Sequence, residues 1–210
     1  MIPRHQTVLF IVLLAASAIM GVLLWNQLRR SHDRLLHGED SAPTQAPQVA
    51  AAEQATLMVA NDADNTVQPR LLTLPLPQNP EARARAILGK LLDLYAAPIA
   101  THSVPGGASS IAQVFLLPIA NSKGSAPPNG PELAVVNLTS SFVTGHPSGL
   151  ETESLTVLSI CSTLDANLPQ VKEVRFLVDG QPRATLAGHA DLTRTYLTNE
   201  DAVAAGGSRP

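Results

Sequence analysis

FLVDGQPRATLAGHADLT, residues Phe176–Thr193, is the stretch on which the reading of the fold turns. It continues VKEVRFLV, Val171 to Val178, where Val174, Phe176 and Val178 alternate with Arg175 and Leu177. Period-two alternation marks a strand with one buried face. Asp179-Gly180 is a strong two-residue turn signal. Gln181 to Leu186 is therefore predicted as a return strand, and Leu192 to Leu197 as a last short element.

Toward the N-terminus, Pro169 ends a predicted helix running from about Glu151 to Asn167. Leu150, Leu155, Leu158, Cys161 and Leu164 line one face of it, with Val157 and Ile160 beside them. A loop with Gly145 and Pro147 spans Ser140 to Ser148. Before it, Glu132 to Leu138 (ELAVVNL) and Ile111 to Leu117 (IAQVFLL) read as neighbouring antiparallel strands across the turn-rich residues 119–131. Ala100 to Ser110 is a loop broken by Pro105-Gly106-Gly107.

A first helix starts at Asn79, a natural N-cap, with Pro80 in its first turn and Glu81 at the positive dipole end. Ala84, Ile87, Leu88, Leu91, Leu92 and Tyr95 follow at the spacing of one helical stripe, and Pro98 stops it. Thr66 to Leu76 reads as a strand, with Pro75 placing its end at an edge or terminus. The order β-α-β-β-α-β-β predicts an α+β fold. In it, a mostly antiparallel sheet carries both helices on one face, with Leu88, Leu91, Leu158 and Leu164 in the core.

The rest of the chain divides around this domain. No charge falls between Thr7 and Trp25. An apolar run of that length suits a bilayer core, and Trp25 suits the interface. Residues 1–37 are predicted as a membrane anchor with a polar helical extension. A cleaved signal peptide is the alternative, since Ala15-Ala16-Ser17-Ala18 offers small residues to a peptidase. Residues 38–65, rich in Ala, Pro and Gln, are predicted as a flexible linker. Residues 66–197 are the folded domain, and 198–210 a disordered tail.

Composition narrows function. Charged residues are 15% of the chain, aromatics 3%, and the formal net charge is −3. That balance supplies neither a positive field nor a stacking platform for nucleic acid. One thiol, Cys161, can form neither an internal disulfide nor a cysteine zinc site by itself. On an apolar helical stripe it reads as a buried structural thiol.

Three stretches resemble the sporulation and spore germination (GerMN) domain. They are Val114–Pro118 (VFLLP), Ala134–Phe142 (AVVNLTSSF) with the helix Glu151–Leu164 (ETESLTVLSICSTL), and Phe176–Thr193. In the last, LVDG is followed by a short strand and L-A-G-H-x-D. The resemblance implies an α/β module of bacterial envelope proteins, often exposed outside the cytoplasmic membrane. It implies a fold similar to the ring-building modules of secretion machines. The family's namesake carries two copies and helps assemble a transenvelope complex in spore formers. Here there is one copy, and a membrane helix stands in place of a lipid anchor. Arg29, Arg30 and Arg34 after the apolar run favour a cytoplasmic C-terminal side. The resemblance implies the opposite, with the domain periplasmic.

Gly188-His189-Ala190-Asp191 is the most suggestive polar cluster, with Asp179 near it in sequence. A histidine with two carboxylates suits acid–base chemistry or a metal. The structural alternative has Gly188 permitting an unusual turn, His189 bonding the main chain and Asp191 capping a turn. His146 and His102 lie in Gly/Pro-rich loops, free to meet His189. Ser140, Ser141 and Ser159 lack the glycine elbow of a serine hydrolase. Glu151, Thr152 and Glu153 read as helix-start residues. No catalytic, cofactor-binding or metal residue is assigned. The expectation is a non-catalytic membrane-tethered assembly module that takes no small-molecule substrate or nucleic acid. Its partners would be envelope proteins or itself, met through sheet edges and one helix face. The alternative is a wall-glycan binder or hydrolase using the His189/Asp191 region.

Overall fold

The computed structural model of the protein describes Met20 and residues 52–120, 127 and 130–198. Chain contacts divide the protein into two units, Met1–Gln48 and Val49–Pro210, and the second contains the fold. The predicted membrane segment, apart from Met20, and the predicted tail beyond Thr198 lie outside the described residues. Among the described residues no helix is long and apolar enough to cross a membrane.

Strands β1 (Ala52–Asn61) and β2 (Thr66–Pro75) pair antiparallel as a two-stranded sheet. Helix α1 (Pro80–Tyr95) follows, then a 3-10 turn at Gly107–Ser110, β3 (Ile111–Pro118) and β4 (Glu132–Leu138). A short helix α2 (Ser140–Gly145) leads into the long α3 (Leu150–Asn167), then β5 (Val171–Val178) and β6 (Tyr196–Leu197). The second sheet has the order β3-β4-β5-β6, with β4 and β5 parallel and the other pairs antiparallel. The fold is mixed α+β, with two sheets rather than one.

Local chemistry explains the elements that the sequence announces. Asn79 accepts from the Ala82 N–H at 2.9 Å and Pro80 opens α1. All six stripe residues, Ala84, Ile87, Leu88, Leu91, Leu92 and Tyr95, are buried. The two-residue turn closes at Asp179 (φ 48°) and Gly180 (φ 75°), with Val178 bridged to Gln181. Positive φ at both positions is the hairpin turn that Asp-Gly favours.

Five expectations need correction. Residues 52–61, read as linker, form β1 and bury Ala55, Leu57 and Ala60. The strand expected over Thr66 to Leu76 pairs with β1 and not with the main sheet. The return strand over Gln181 to Leu186 does not form: beyond the turn only the isolated Thr185–Asp191 bridge follows. Instead the Leu186 N–H donates to the Ala190 carbonyl, and the Ala184 carbonyl accepts from the Leu192 N–H. Ser140–Gly145, read as loop, is helix α2, capped by Thr139. On α3, Leu155, Val157, Ile160, Cys161 and Leu164 are buried, but Leu150 is 64% exposed and Leu158 only half-buried. The apolar stripe of α3 is displaced because a polar stripe also faces inward.

One core contains residues from β1, both long helices and the inner face of the main sheet (Val114, Ala134, Val136, Val174 and Phe176). Both long helices touch that sheet, α1 at β3 and α3 at β5, and both touch β1. On the opposite face of the sheet Phe115 and Leu117 are exposed among the described residues. The register aligns Leu117, Leu133, Glu173 and Leu197 across it, then Phe115, Val135 and Arg175.

Candidate functional site

Glu153, Thr156, Ser159, Thr163 and Asn167 recur at helical spacing along α3. The first four are buried to within 1%. Burying a polar group is costly unless it is bonded, so each of these side chains holds another segment.

Glu153 sits four residues past Gly149, the N-cap of α3. Its Oε1 accepts from the Gly149 N–H at 3.2 Å and faces His189 Nδ1 at 2.9 Å. Its Oε2 accepts from the N–H groups of Ala187, His189 and Ala190 at 2.8–2.9 Å. Gly188, at φ 127°, turns the chain so that the amides on both sides converge. Burial alone raises the carboxyl's pKa; the Ala187 amide, the His189 ring and the amides of Ala190 and His189 outweigh it. They hold it at about 2. These bonds fasten the loop that follows residues 181–186, where the amides of Ala187, His189 and Ala190 are all spent on one carboxylate.

One turn along α3, the Thr156 hydroxyl lies between two imidazoles, 2.7 Å from His102 Nε2 and 2.8 Å from His146 Nε2. His146 Nδ1 lies 2.7 Å from the Pro147 carbonyl, which only accepts, so Nδ1 carries a proton. Burial pushes the His146 pKa down and favours the neutral ring. Nε2 is then the unprotonated nitrogen facing Thr156, whose hydroxyl also reaches the Thr152 carbonyl at 3.1 Å. His102 Nδ1 lies 2.6 Å from Asp62 in the β1–β2 turn. Acid, imidazole and hydroxyl stand in the order of a hydrolase triad. However, His102 is 0% exposed and Thr156 is 1% exposed, so no substrate reaches the hydroxyl. The arrangement ties the hairpin turn and two loops to α3.

Farther along, Thr163 Oγ1 accepts from the Met58 N–H at 2.9 Å. Asn167 accepts from Thr56 N–H and donates to Thr56 C=O. Tyr95 of α1 accepts from the Ala60 N–H at 2.9 Å. Burial, the largest influence on that phenol, pushes its pKa up to about 12. The edge of β1 away from β2 is thus satisfied by side chains.

The structure brings His189 to Glu153 rather than to Asp179 or Asp191. Asp179 accepts from the Ser140 N–H, and Asp191 caps its own turn through Thr193. His102 and His146 meet each other through Thr156, their rings 6.5 Å apart. Glu153, read as a helix-start residue, is also the hub of the C-terminal loop. Thr156 and Asp62 carried no motif; the inward polar stripe of α3 is the signal that would have found Thr156. His189 keeps its ring half-exposed, with 45% of the side chain open to solvent.

No curated protein matches this chain. Among solved structures it is similar to the tandem GerMN domains of the sporulation protein GerM from Bacillus subtilis, at 15% identity and TM-score 0.38. That match covers 68% of this chain and 44% of the tandem protein, so this chain spans less than half its length. It is similar also to the first GerMN domain of that protein, at 16% identity and TM-score 0.37, over 71% of this chain and 99% of the domain. The model of the Germane family, described as sporulation and spore germination, matches residues 56–184, well over half of the chain, and the protein belongs to that family.

Proposed function

We propose that the protein is a non-catalytic, membrane-tethered assembly module of the bacterial cell envelope, with its folded domain on the extracytoplasmic side. The observation that carries this reading is the saturation of Glu153. Four backbone amides and one imidazole occupy its two oxygens, leaving it as a fastening rather than a reactive group. A general base needs its basic atom free to reach a substrate proton. The uncharged run from Thr7 to Trp25 supports the tether. The open sheet face, where Phe115 and Leu117 are exposed, supports a contact role.

A second reading rests on His189. Its Nδ1 is held by a buried carboxylate and its ring is half-exposed, the way an imidazole is oriented for acid–base work. That would suit a wall-glycan binder or hydrolase working from the His189/Asp191 region. No hydroxyl, thiol or second carboxylate is bonded to this imidazole among the described residues, and the assembly reading is preferred.

One doubly labelled protein tests the proposal: the full-length chain with a photoreactive residue at Phe115 and alkaline phosphatase fused after Pro210. The phosphatase is expected to be active in cells, and illumination is expected to yield a covalent protein adduct. An inactive phosphatase refutes the placement, and absence of any adduct refutes the contact role.

A further inference from the structure

The outer face of the main sheet carries a charge pattern that selects one partner. Glu173 and Arg175 stand two residues apart on β5 and point to the same side. They are the charged residues in the two rows that cross the face, and neither joins an ion pair among the described residues. Around Glu173 lie Leu133, Leu117 and Leu197, the last two each 48% exposed. Beside Arg175 lie Val135 and Phe115, the latter 39% exposed.

We propose that this face is the interface of a two-fold symmetric dimer, in which Glu173 of each copy pairs with Arg175 of the other. The proposal rests on the assembly reading above and names its partner as a second copy of this chain. A two-fold axis parallel to the rows and midway between them reverses the strands of the second sheet. It lays the Glu173 row of one copy over the Arg175 row of the other. Both charges then meet their opposites, and Leu117 and Leu133 meet Phe115 and Val135. Such an interface is self-complementary, as closed dimer symmetry requires. An axis along β5 would set Glu173 against Glu173 and Arg175 against Arg175, so the pattern also fixes the orientation.

Edge-to-edge pairing is the competing mode, and the helices oppose it at β1 and β3. Asn167 and Thr163 cover amides of β1, while Glu81 takes the Leu116 N–H and Arg85 the Ile111 carbonyl on β3. The open face spans roughly 20 Å by 20 Å from strand and residue spacings. That is about half the area per copy of a standard specific interface and within the size of weak, transient ones, so the dimer is expected to be weak and concentration-dependent.

Sedimentation velocity on the full-length chain in mild detergent, over a range of concentrations, tests this. Glu173→Arg and Arg175→Glu are each expected to weaken dimerisation about tenfold or more, by setting like charges face to face. The double variant carrying both changes restores the pairing and is expected to return to within about threefold of wild type. Unchanged melting curves would show that all three variants fold. Single variants that dimerise like wild type, or a double variant that stays as weak as the singles, overturn the proposal. A monomeric wild type also overturns it. If the Phe115 adduct is then a different protein, the dimer fails and the assembly reading stands; with no adduct, both fail.

Discussion

Glu153 is the residue whose charge state the fold depends on most directly. Its folded pKa of about 2 lies below the ordinary value of 4.5. The unfolded chain therefore binds more protons between those two values, and stability rises with pH across that window. The contribution is present in full above about pH 4.5, is lost as pH falls toward 2, and amounts to roughly 3 kcal/mol. Glu153→Gln keeps the shape but offers donors where four amides and a ring already donate. It is expected to cost about 3 kcal/mol at neutral pH. Urea midpoints measured from pH 7 to pH 2.5 should fall for the wild type below pH 4.5 and change far less for the variant. A variant with the wild-type acid limb would place the titrating group elsewhere. His146, its pKa pushed down by burial, weakens both proteins below the ordinary imidazole range and so cancels in the comparison. Little of this was legible in the residues themselves. Glu153 stands where helix-start acids stand, and its three loop donors lie more than thirty positions away. His189 and Gly188 did announce a turn, because glycine beside a histidine after a strand has a backbone reason.

At the scale of elements, side chains do the work of a neighbouring strand. β1 pairs with β2 on one edge and is met by Asn167, Thr163 and Tyr95 on the other. An unprotected edge of this kind is a template for wrong pairing. Asn167→Ala would free both backbone groups of Thr56. The expected cost is about 1–3 kcal/mol, with the Thr56 amide exchanging at least about tenfold faster while amides of α1 keep their protection. Uniform loss of protection would show that β1 does not open separately. Helix α1 was legible from cap to stop, because its signals are local: Asn79, Pro80 and one stripe. Strand β1 was not, because AEQATLMVAN has weak alternation and its register depends on α3, over a hundred positions away.

For the whole molecule, the question is where the folded unit begins. Ala55, Leu57 and Ala60 are at most 1% exposed in the common core. Burying a leucine side chain is worth about 1.5–3 kcal/mol, against a total of about 5–15 kcal/mol for a domain. A chain beginning at Thr66 also removes the β1 backbone partners of Thr163, Asn167 and Tyr95. It is expected to melt at least about 10 °C below a chain beginning at Val49, or to show no cooperative transition. Equal melting temperatures would show that β1 is dispensable. Sequence motifs carried the family resemblance, and local patterns by themselves determined the α+β class, the extent of α1, the Asp-Gly turn and strands β3, β4 and β5. These rest on local spacing, capping and turn chemistry, which act within a few residues. Only the tertiary structure decided that 52–61 is a strand, that β4 and β5 run parallel, and that Gln181–Leu186 forgoes pairing. The strand at 52–61 depends on where its backbone groups find partners, which Thr163 and Asn167 of α3 supply. Residues 181–186 bond instead to the loop beyond them, Leu186 N–H to Ala190 and Ala184 C=O to Leu192. The parallel pairing follows from the helical crossover between β4 and β5, and the direction of α3 is set only when the helix packs.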